Sequence, residues 1–146
     1  MRKTIGLMLI LGAILLLFGI VAGCGKSQRY ENITGVYQGN IKFNNTSGTI
    51  TPSQVEAKYG TVEISLNQKE MNITGMIEFL DIKETYELSG GITQNNKITF
   101  TSILGDPSHY IKFDGENKKN SLSGNFVMKA PPPLWEASGN LSANRK

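Results

Sequence analysis

The sequence has very few of the residues that most often carry protein chemistry. Its 146 residues include one cysteine, one histidine and one tryptophan. One cysteine excludes an intrachain disulfide, and no cluster of histidine, cysteine or carboxylate side chains suggests a metal site. His109 follows Ser108 and lies near Asp106, but adjacent turn residues cannot place their side chains in the geometry of a catalytic triad. We therefore predict no catalytic residue, no metal, no cofactor and no enzymatic activity.

Long apolar runs are equally scarce, because only residues 5–22 form one. Arg2 and Lys3 precede this run, and a charged segment followed by an apolar one is typical of an export signal. Its eighteen residues would just span a bilayer, so an uncleaved membrane anchor is the alternative. No second membrane span is predicted.

The end of the apolar run, Val21-Ala22-Gly23-Cys24, resembles the lipobox of prokaryotic lipoproteins. The resemblance implies cleavage between Gly23 and Cys24 and attachment of diacylglycerol to the Cys24 thiol. It also implies a lipid-anchored protein on the extracytoplasmic side of the cell membrane or of an outer membrane. The expected partners then include the membrane itself, reached through the lipid.

Little net charge remains once the signal is removed. Residues 24–146 carry 13 basic and 12 acidic side chains, a net charge of +1. Such a balance gives no reason to expect a nucleic-acid partner. The length suits one domain, and we divide the chain into a signal peptide (1–23), a lipidated cysteine with its tether (24–34) and a β domain (35–146).

Apolar and polar residues alternate through the β domain, and no segment has a convincing helical period. Eight strands are predicted, at residues 35–43, 60–67, 72–80, 85–93, 97–103, 109–116, 121–129 and 134–143. Short polar turns join most of them, which favours antiparallel neighbours. One connection is long, from Asn44 to Tyr59, and residues 52–58 within it could form one helical turn capped by Thr51 or Ser53.

The chain also contains an internal repeat with an offset of 49 residues. Ile73-Thr74-Gly75 and Leu88-Ser89-Gly90 align with Leu122-Ser123-Gly124 and Ala137-Ser138-Gly139, with no gap between residues 60–93 and 109–142. In this alignment Tyr86 matches Trp135. The repeat indicates two four-stranded halves, related either by descent or only by the physics of amphipathic hairpins.

One face of the predicted strands is apolar, and the chain has no long helix to cover it. Closure of the sheet on itself would bury that face and remove exposed edges. The predicted fold class is therefore all-β, a single antiparallel eight-stranded up-and-down (meander) barrel, preceded by an N-terminal signal helix. Glycines at inward positions would allow the sharp coiling of a small barrel; they are Gly35, Gly39, Gly75, Gly90, Gly115, Gly124 and Gly139.

The opening Asn32-Ile33-Thr34-Gly35 and the repeated aliphatic-Thr/Ser-Gly segments resemble avidin and lipocalin barrels in architecture. The resemblance implies a lipocalin- or streptavidin-like interior that could hold one small ligand. A biotin pocket of the avidin type would need several tryptophans, and Trp135 is the only one here. The residues predicted to line a cavity are Tyr37, Phe79, Tyr86, Phe100, Phe113 and Trp135.

Two functions are compatible with these features. The barrel could bind a small apolar ligand or serve as a binding scaffold. Alternatively, it could be a structural or accessory envelope lipoprotein with a packed core that contacts another protein. In the second case Met76, Leu80 and Val127, which are apolar at outward positions, would contribute to a contact patch.

Overall fold

The computed structural model describes residues 30–105, 108–130 and 135–146. Eight strands form a closed antiparallel barrel in which each strand pairs with the next and the eighth pairs with the first. One helix lies between the first and second strands. The predicted fold class is confirmed for the β domain. The predicted signal segment and lipobox, most of the predicted tether, and residues 106–107 and 131–134 lie outside the described residues. The elements are β1 (Gly35–Thr46), α1 (Pro52–Tyr59), β2 (Thr61–Lys69), β3 (Asn72–Phe79), β4 (Glu84–Ile92), β5 (Lys97–Ile103), β6 (Tyr110–Lys118), β7 (Ser121–Ala130) and β8 (Trp135–Arg145).

All eight predicted strands are present, with ends that move by at most a few residues. β1 is longer than predicted because Asn45 and Thr46 pair with Ser138 and Ala137 after a register shift that follows Phe43. Such a shift lets a strand bend while it keeps its partner, which suits a closing seam. Among the described residues no helix is long and apolar enough to cross a membrane.

α1 occupies the long connection between β1 and β2. The Thr51 hydroxyl accepts a hydrogen bond from the Gln54 backbone N–H, the Gln54 side chain accepts one from the Thr51 N–H, and Pro52 opens the helix. This capping box satisfies backbone donors that the first turn leaves free. The predicted single turn is therefore a two-turn helix, and its Val55 is fully buried in the core.

The apolar face predicted from alternation is the barrel interior. Alternation places 21 large apolar side chains on this face; nineteen of them are buried, and Tyr86 and Trp135 are partly exposed. The buried ones are Tyr37, Ile41, Phe43, Val62, Ile64, Leu66, Ile73, Ile77, Phe79, Leu88, Ile92, Ile98, Phe100, Ile111, Phe113, Leu122, Phe126, Met128 and Leu141.

The two halves of the repeat have matching hairpins. The β2–β3 ladder ends on the pair Lys69–Asn72, and the β6–β7 ladder ends 49 residues later on Lys118–Ser121. Glu70 and Lys119 follow at the same place, with φ angles of +57° and +59°. Lys83 and Asn96, in the β3–β4 and β4–β5 connections, also have φ angles of +57°, so this backbone conformation is common to the short turns and is not specific to the repeat.

Glycines occur where a neighbouring strand comes too close for a side chain. A Cβ at Gly139 would overlap the Lys42 carbonyl oxygen, and a Cβ at Gly90, its repeat equivalent, would overlap that of Thr99. At Gly91 a Cβ would meet only the Met71 carbonyl oxygen, at 3.1 Å.

We expect Gly139→Ala to lower the free energy of unfolding by about 2 kcal/mol, because the β1 and β8 backbones must separate. Gly91→Ala is the matched control and should cost less than about 1 kcal/mol, since a shift of a few tenths of an ångström admits the methyl group. Urea denaturation followed by circular dichroism measures both. Equal losses of the free energy of unfolding in the two variants would show that the close approach of β1 to β8 does not require glycine at residue 139.

Candidate functional site

The barrel has two ends, and the last residues of the predicted tether close one of them, called here the lower end. Ile33 is fully buried, and its N–H donates to the Gln68 side-chain oxygen at 2.9 Å. The Tyr37 hydroxyl donates to the Ile33 carbonyl, also at 2.9 Å. Residues 30–34, predicted as the last part of the tether, therefore belong to the folded domain: they pack against the barrel and plug its lower end.

Arg145, at the end of β8, holds this plug in place. Its Nη2 donates to the carbonyls of Asn32 and Thr34 and lies 3.0 Å from the Tyr37 hydroxyl. Its guanidinium carbon lies 5.4 Å from the centre of the Tyr37 ring. A planar guanidinium can serve several acceptors in this way and stack on a ring at the same time.

We expect Arg145→Met to lower the free energy of unfolding by about 2 to 3 kcal/mol, because charge-assisted hydrogen bonds to the plug are lost. Arg145→Lys should recover only part of this, since an ammonium lacks the planar fork. Lys42→Met, on an exposed position of β1, is the control and should cost less than about 0.5 kcal/mol. Limited proteolysis should cut near residues 30–34 faster in Arg145→Met, and unchanged cutting would contradict the role of Arg145.

Aromatic side chains occupy the opposite, upper end of the barrel. The Tyr59 ring of α1 lies 5.1 Å from the Phe79 ring and 5.6 Å from the Trp135 ring, between centroids. Phe79 also contacts Tyr86 at 6.1 Å and Phe126 at 6.5 Å. These separations are typical of aromatic pairs in contact. The helix and this cluster therefore close the upper end.

The six residues predicted to line a cavity are thus distributed along the whole interior. Tyr37 lies at the lower end, Phe79, Tyr86 and Trp135 lie at the upper end, and Phe100 stacks on Phe113 with centroids 4.7 Å apart. Tyr37, Phe79, Phe100 and Phe113 are fully buried. Five of the six contact another aromatic ring, and the sixth, Tyr37, lies against the Arg145 guanidinium.

Three tyrosines, Tyr37, Tyr59 and Tyr86, have pKa values above the ordinary value for tyrosine. Burial raises the pKa of Tyr86. The Tyr86 hydroxyl donates a hydrogen bond to the Glu84 carboxylate, whose negative charge raises the pKa of Tyr86 further. Burial also raises the pKa values of Tyr59 and Tyr37. The folded protein therefore binds these protons more tightly than the unfolded chain does.

This difference predicts a loss of stability at alkaline pH. Above a pH of about 10 the unfolded chain releases tyrosine protons that the folded protein retains, so the free energy of unfolding falls as the pH rises. Tyr86→Phe removes one of these groups, and we expect its stability to fall less steeply than that of the wild type. Urea denaturation between pH 8 and 11 measures both slopes. Identical slopes would contradict the assignment to Tyr86.

A cleft opens in the barrel wall between the upper halves of β4 and β5. The two strands share four residue pairs, from Ile92–Ile98 to Ser89–Thr101, whereas every other neighbouring pair of strands shares six to ten. Beyond Ser89 and Thr101 no residues of the two strands are paired, although β4 begins at Glu84 and β5 continues to Ile103. The resulting groove has a volume of about 840 Å³. Its lining is formed by Thr74, Gly75, Met76, Thr85, Tyr86, Glu87, Leu88, Ser89, Thr101 and Ser102.

The cleft has an inner floor and an outer rim. Tyr86, Leu88 and Ser102 have inward parity and form the floor. Met76, which is 40% exposed, and Glu87, which lies opposite it in the β3–β4 ladder, belong to the rim. A similar opening lies above the last β1–β2 pair, Asn40–Thr61, but α1 packs against those two strands.

The sequence predicted part of this site and missed the rest. Tyr86 and Met76 were singled out, but the predicted patch of Met76, Leu80 and Val127 is wrong. Val127 is on β7, Met76 is on β3 and Leu80 directly follows β3. These two strands are four apart in the barrel and lie on opposite sides. The alternation of side chains along a strand predicts which residues face inward and which face outward. It does not predict which strands lie on the same side of the barrel.

The described part of the chain offers few groups for chemistry. No three of its His, Cys, Asp and Glu side chains are placed to hold a metal ion. His109 precedes β6, and its Nε2 is buried without a hydrogen-bond partner among the described residues. Asp106, the third residue near it in sequence, lies outside those residues. No protein-family model matches this sequence, and a search of curated proteins finds none that is significantly similar.

Proposed function

We propose that this chain is a lipid-anchored extracytoplasmic lipoprotein whose barrel is a packed, non-enzymatic scaffold that contacts another protein through its outer surface. The contacts among Tyr59, Phe79, Phe126 and Phe43, which cross the barrel interior, carry this proposal. Side chains that interdigitate in this way leave little room for a ligand. The plug of residues 30–34 and α1 cover the two ends.

The anchor is proposed from the sequence, at Cys24. The described domain begins at Tyr30, at the lower end of the barrel, so six peptide units separate it from the lipidated residue. Their full extension is about 20 Å. The lower end would therefore stay close to the membrane surface, on the cell membrane or on an outer membrane, and the upper end would face away from it.

Binding of a small apolar ligand is the second candidate, and the cleft favours it because Tyr86 and Leu88 form its floor. The two candidates differ in the response of Trp135, which contacts Tyr59 at the upper end. A ligand in the interior should quench Trp135 fluorescence. A packed scaffold should show no change with a panel of fatty acids and phospholipids.

The proposed function is tested by that titration together with crosslinking of the tethered protein at the cell surface. We expect unchanged Trp135 fluorescence with every lipid and a crosslinked protein that is lost when the barrel is deleted from the chain. Saturable quenching by a lipid would support the apolar-ligand candidate instead. Crosslinking that recovers no protein would contradict the scaffold.

A further inference from the structure

We infer that the cleft between β4 and β5 binds an extended peptide segment of a partner protein, with alternating apolar and basic side chains. This inference rests on the proposed function and specifies the partner's chemistry. A strand that adds to a sheet needs an open backbone edge, a floor for every second side chain and a rim that suits the others. The cleft has all three.

The open edge is on β4. The Ile92 N–H donates to the Met71 carbonyl on the β3 side, whereas the Thr93 N–H donates to the Lys97 carbonyl on the β5 side. Backbone groups of an antiparallel strand alternate in direction, so those of Thr85 and Glu87 point towards β5. The β4–β5 ladder has already ended at Ser89, and no β5 residue is paired with either of them.

Along β4, apolar residues of the floor alternate with polar residues of the rim, as inward and outward side chains do in any strand. The partly exposed Tyr86 ring would contact every second side chain of an added strand, above the buried Leu88, and apolar side chains fit there. The intervening side chains would lie beside Glu87 on the rim. An acyl chain would cover the floor but would leave the backbone groups of the β4 edge without hydrogen bonds, which is costly when they are removed from water.

The rim is acidic, and this specifies the charge of the partner. Glu78 on β3 lies opposite Thr85, and Glu87 is on β4 itself; both have outward parity. Neither of these two carboxylates forms an ion pair among the described residues. Across the cleft, Lys112 is paired in the ladder with Thr101, but its ammonium is bound to Asp114 at 2.8 Å. Lysine or arginine side chains of a partner would therefore meet uncompensated negative charge.

The position of the cleft also favours a protein over the membrane. The paired residues of β4 and β5 are in the lower half of the barrel, towards the Thr93–Lys97 turn, and the open residues are in the upper half. The described chain starts at the lower end, where residues 30–34 form the plug. A tether attached there places the open half on the side away from the lipid.

The test uses the full lipidated chain in detergent micelles and three synthetic heptapeptides. The first alternates lysine with valine or isoleucine, the second replaces each lysine by glutamate, and the third is the first peptide with every amide N-methylated. Binding is measured by fluorescence anisotropy and located by amide chemical shifts. Glu87→Lys alters the rim, and Glu136→Lys is its matched control, because Glu136 is exposed at the equivalent position of the repeat on fully paired β8.

We expect the lysine peptide to bind and to shift the amides of Thr85 and Glu87, and the other two peptides not to bind. Glu87→Lys should weaken binding about fivefold, whereas Glu136→Lys should change it less than about twofold. Equal binding of the N-methylated peptide, or shifts confined to another strand, would overturn the inference. No binding of any peptide would also overturn it and would indicate that Glu87 merely protects the edge.

Failure of this inference differs from failure of the proposed function. A protein crosslinked to the tethered barrel at a surface other than the cleft would contradict the inference and leave the scaffold intact. A fatty acid that shifts the Thr85 and Glu87 amides and quenches Trp135, when the lysine peptide does neither, would contradict both.

Discussion

Replacement of Cys24 by serine should abolish lipid attachment. The thioether needs a sulfur nucleophile, and Cys24 is the only cysteine in the chain, so no other residue can substitute for it. The effect on membrane retention should be correspondingly large, because each buried CH₂ of an acyl chain contributes about 0.8 kcal/mol and two or three chains hold almost permanently.

Metabolic labelling with an alkyne fatty acid, followed by mass spectrometry, measures this prediction. In the wild type we expect label and a mature amino terminus at a modified Cys24. In Cys24→Ser we expect label at background level and a precursor that retains residues 1–23. Gly25→Ala is the control, since it leaves the sulfur in place and should remain labelled. An intact Met1 terminus with an unmodified thiol in the wild type would instead support the uncleaved anchor.

Truncation of Phe79 should produce the largest loss of stability in the barrel. Its ring is fully buried and contacts Tyr59, Tyr86 and Phe126, so its removal leaves a cavity that rings from three elements cannot easily fill. We expect Phe79→Ala to lower the free energy of unfolding by about 4 kcal/mol and Phe79→Leu by about 1.5 kcal/mol.

Equilibrium denaturation in urea measures both variants. Met71→Ala is the surface control, because the Met71 side chain is 52% exposed, and it should cost less than about 0.5 kcal/mol. This prediction also separates the two candidate functions. A cost below about 1 kcal/mol for Phe79→Ala would indicate that the ring faces an open cavity, as an apolar-ligand barrel requires, and would contradict the packed interior.

The local pattern of the sequence predicted most of the fold. Strand parity placed Ile64, Phe113 and Phe126 inside, and all three are fully buried. Parity depends only on the direction of successive side chains, which a strand fixes locally. Closure followed from an apolar face with nothing else to cover it, and from glycines such as Gly139 at points of close strand approach.

Features that depend on long-range contacts were not predictable in this way. Ile33 lies in a polar stretch, and only its position beneath the barrel buries it. The carbonyl of Thr34 finds its donor on Arg145, 111 residues away. No local pattern indicates such a pair, because the closure of the whole barrel brings the two ends of the chain together.

The amino-acid sequence by itself thus determined the number of strands, their inward faces and the turns, because each depends on neighbours along the chain. Only the tertiary structure decided where the wall opens. β4 and β5 alternate as regularly as the other strands, yet they separate after Ser89 and Thr101. The length of a ladder depends on how two strands coil in space around a common core, and this property of the closed barrel has no counterpart in the order of residues within either strand.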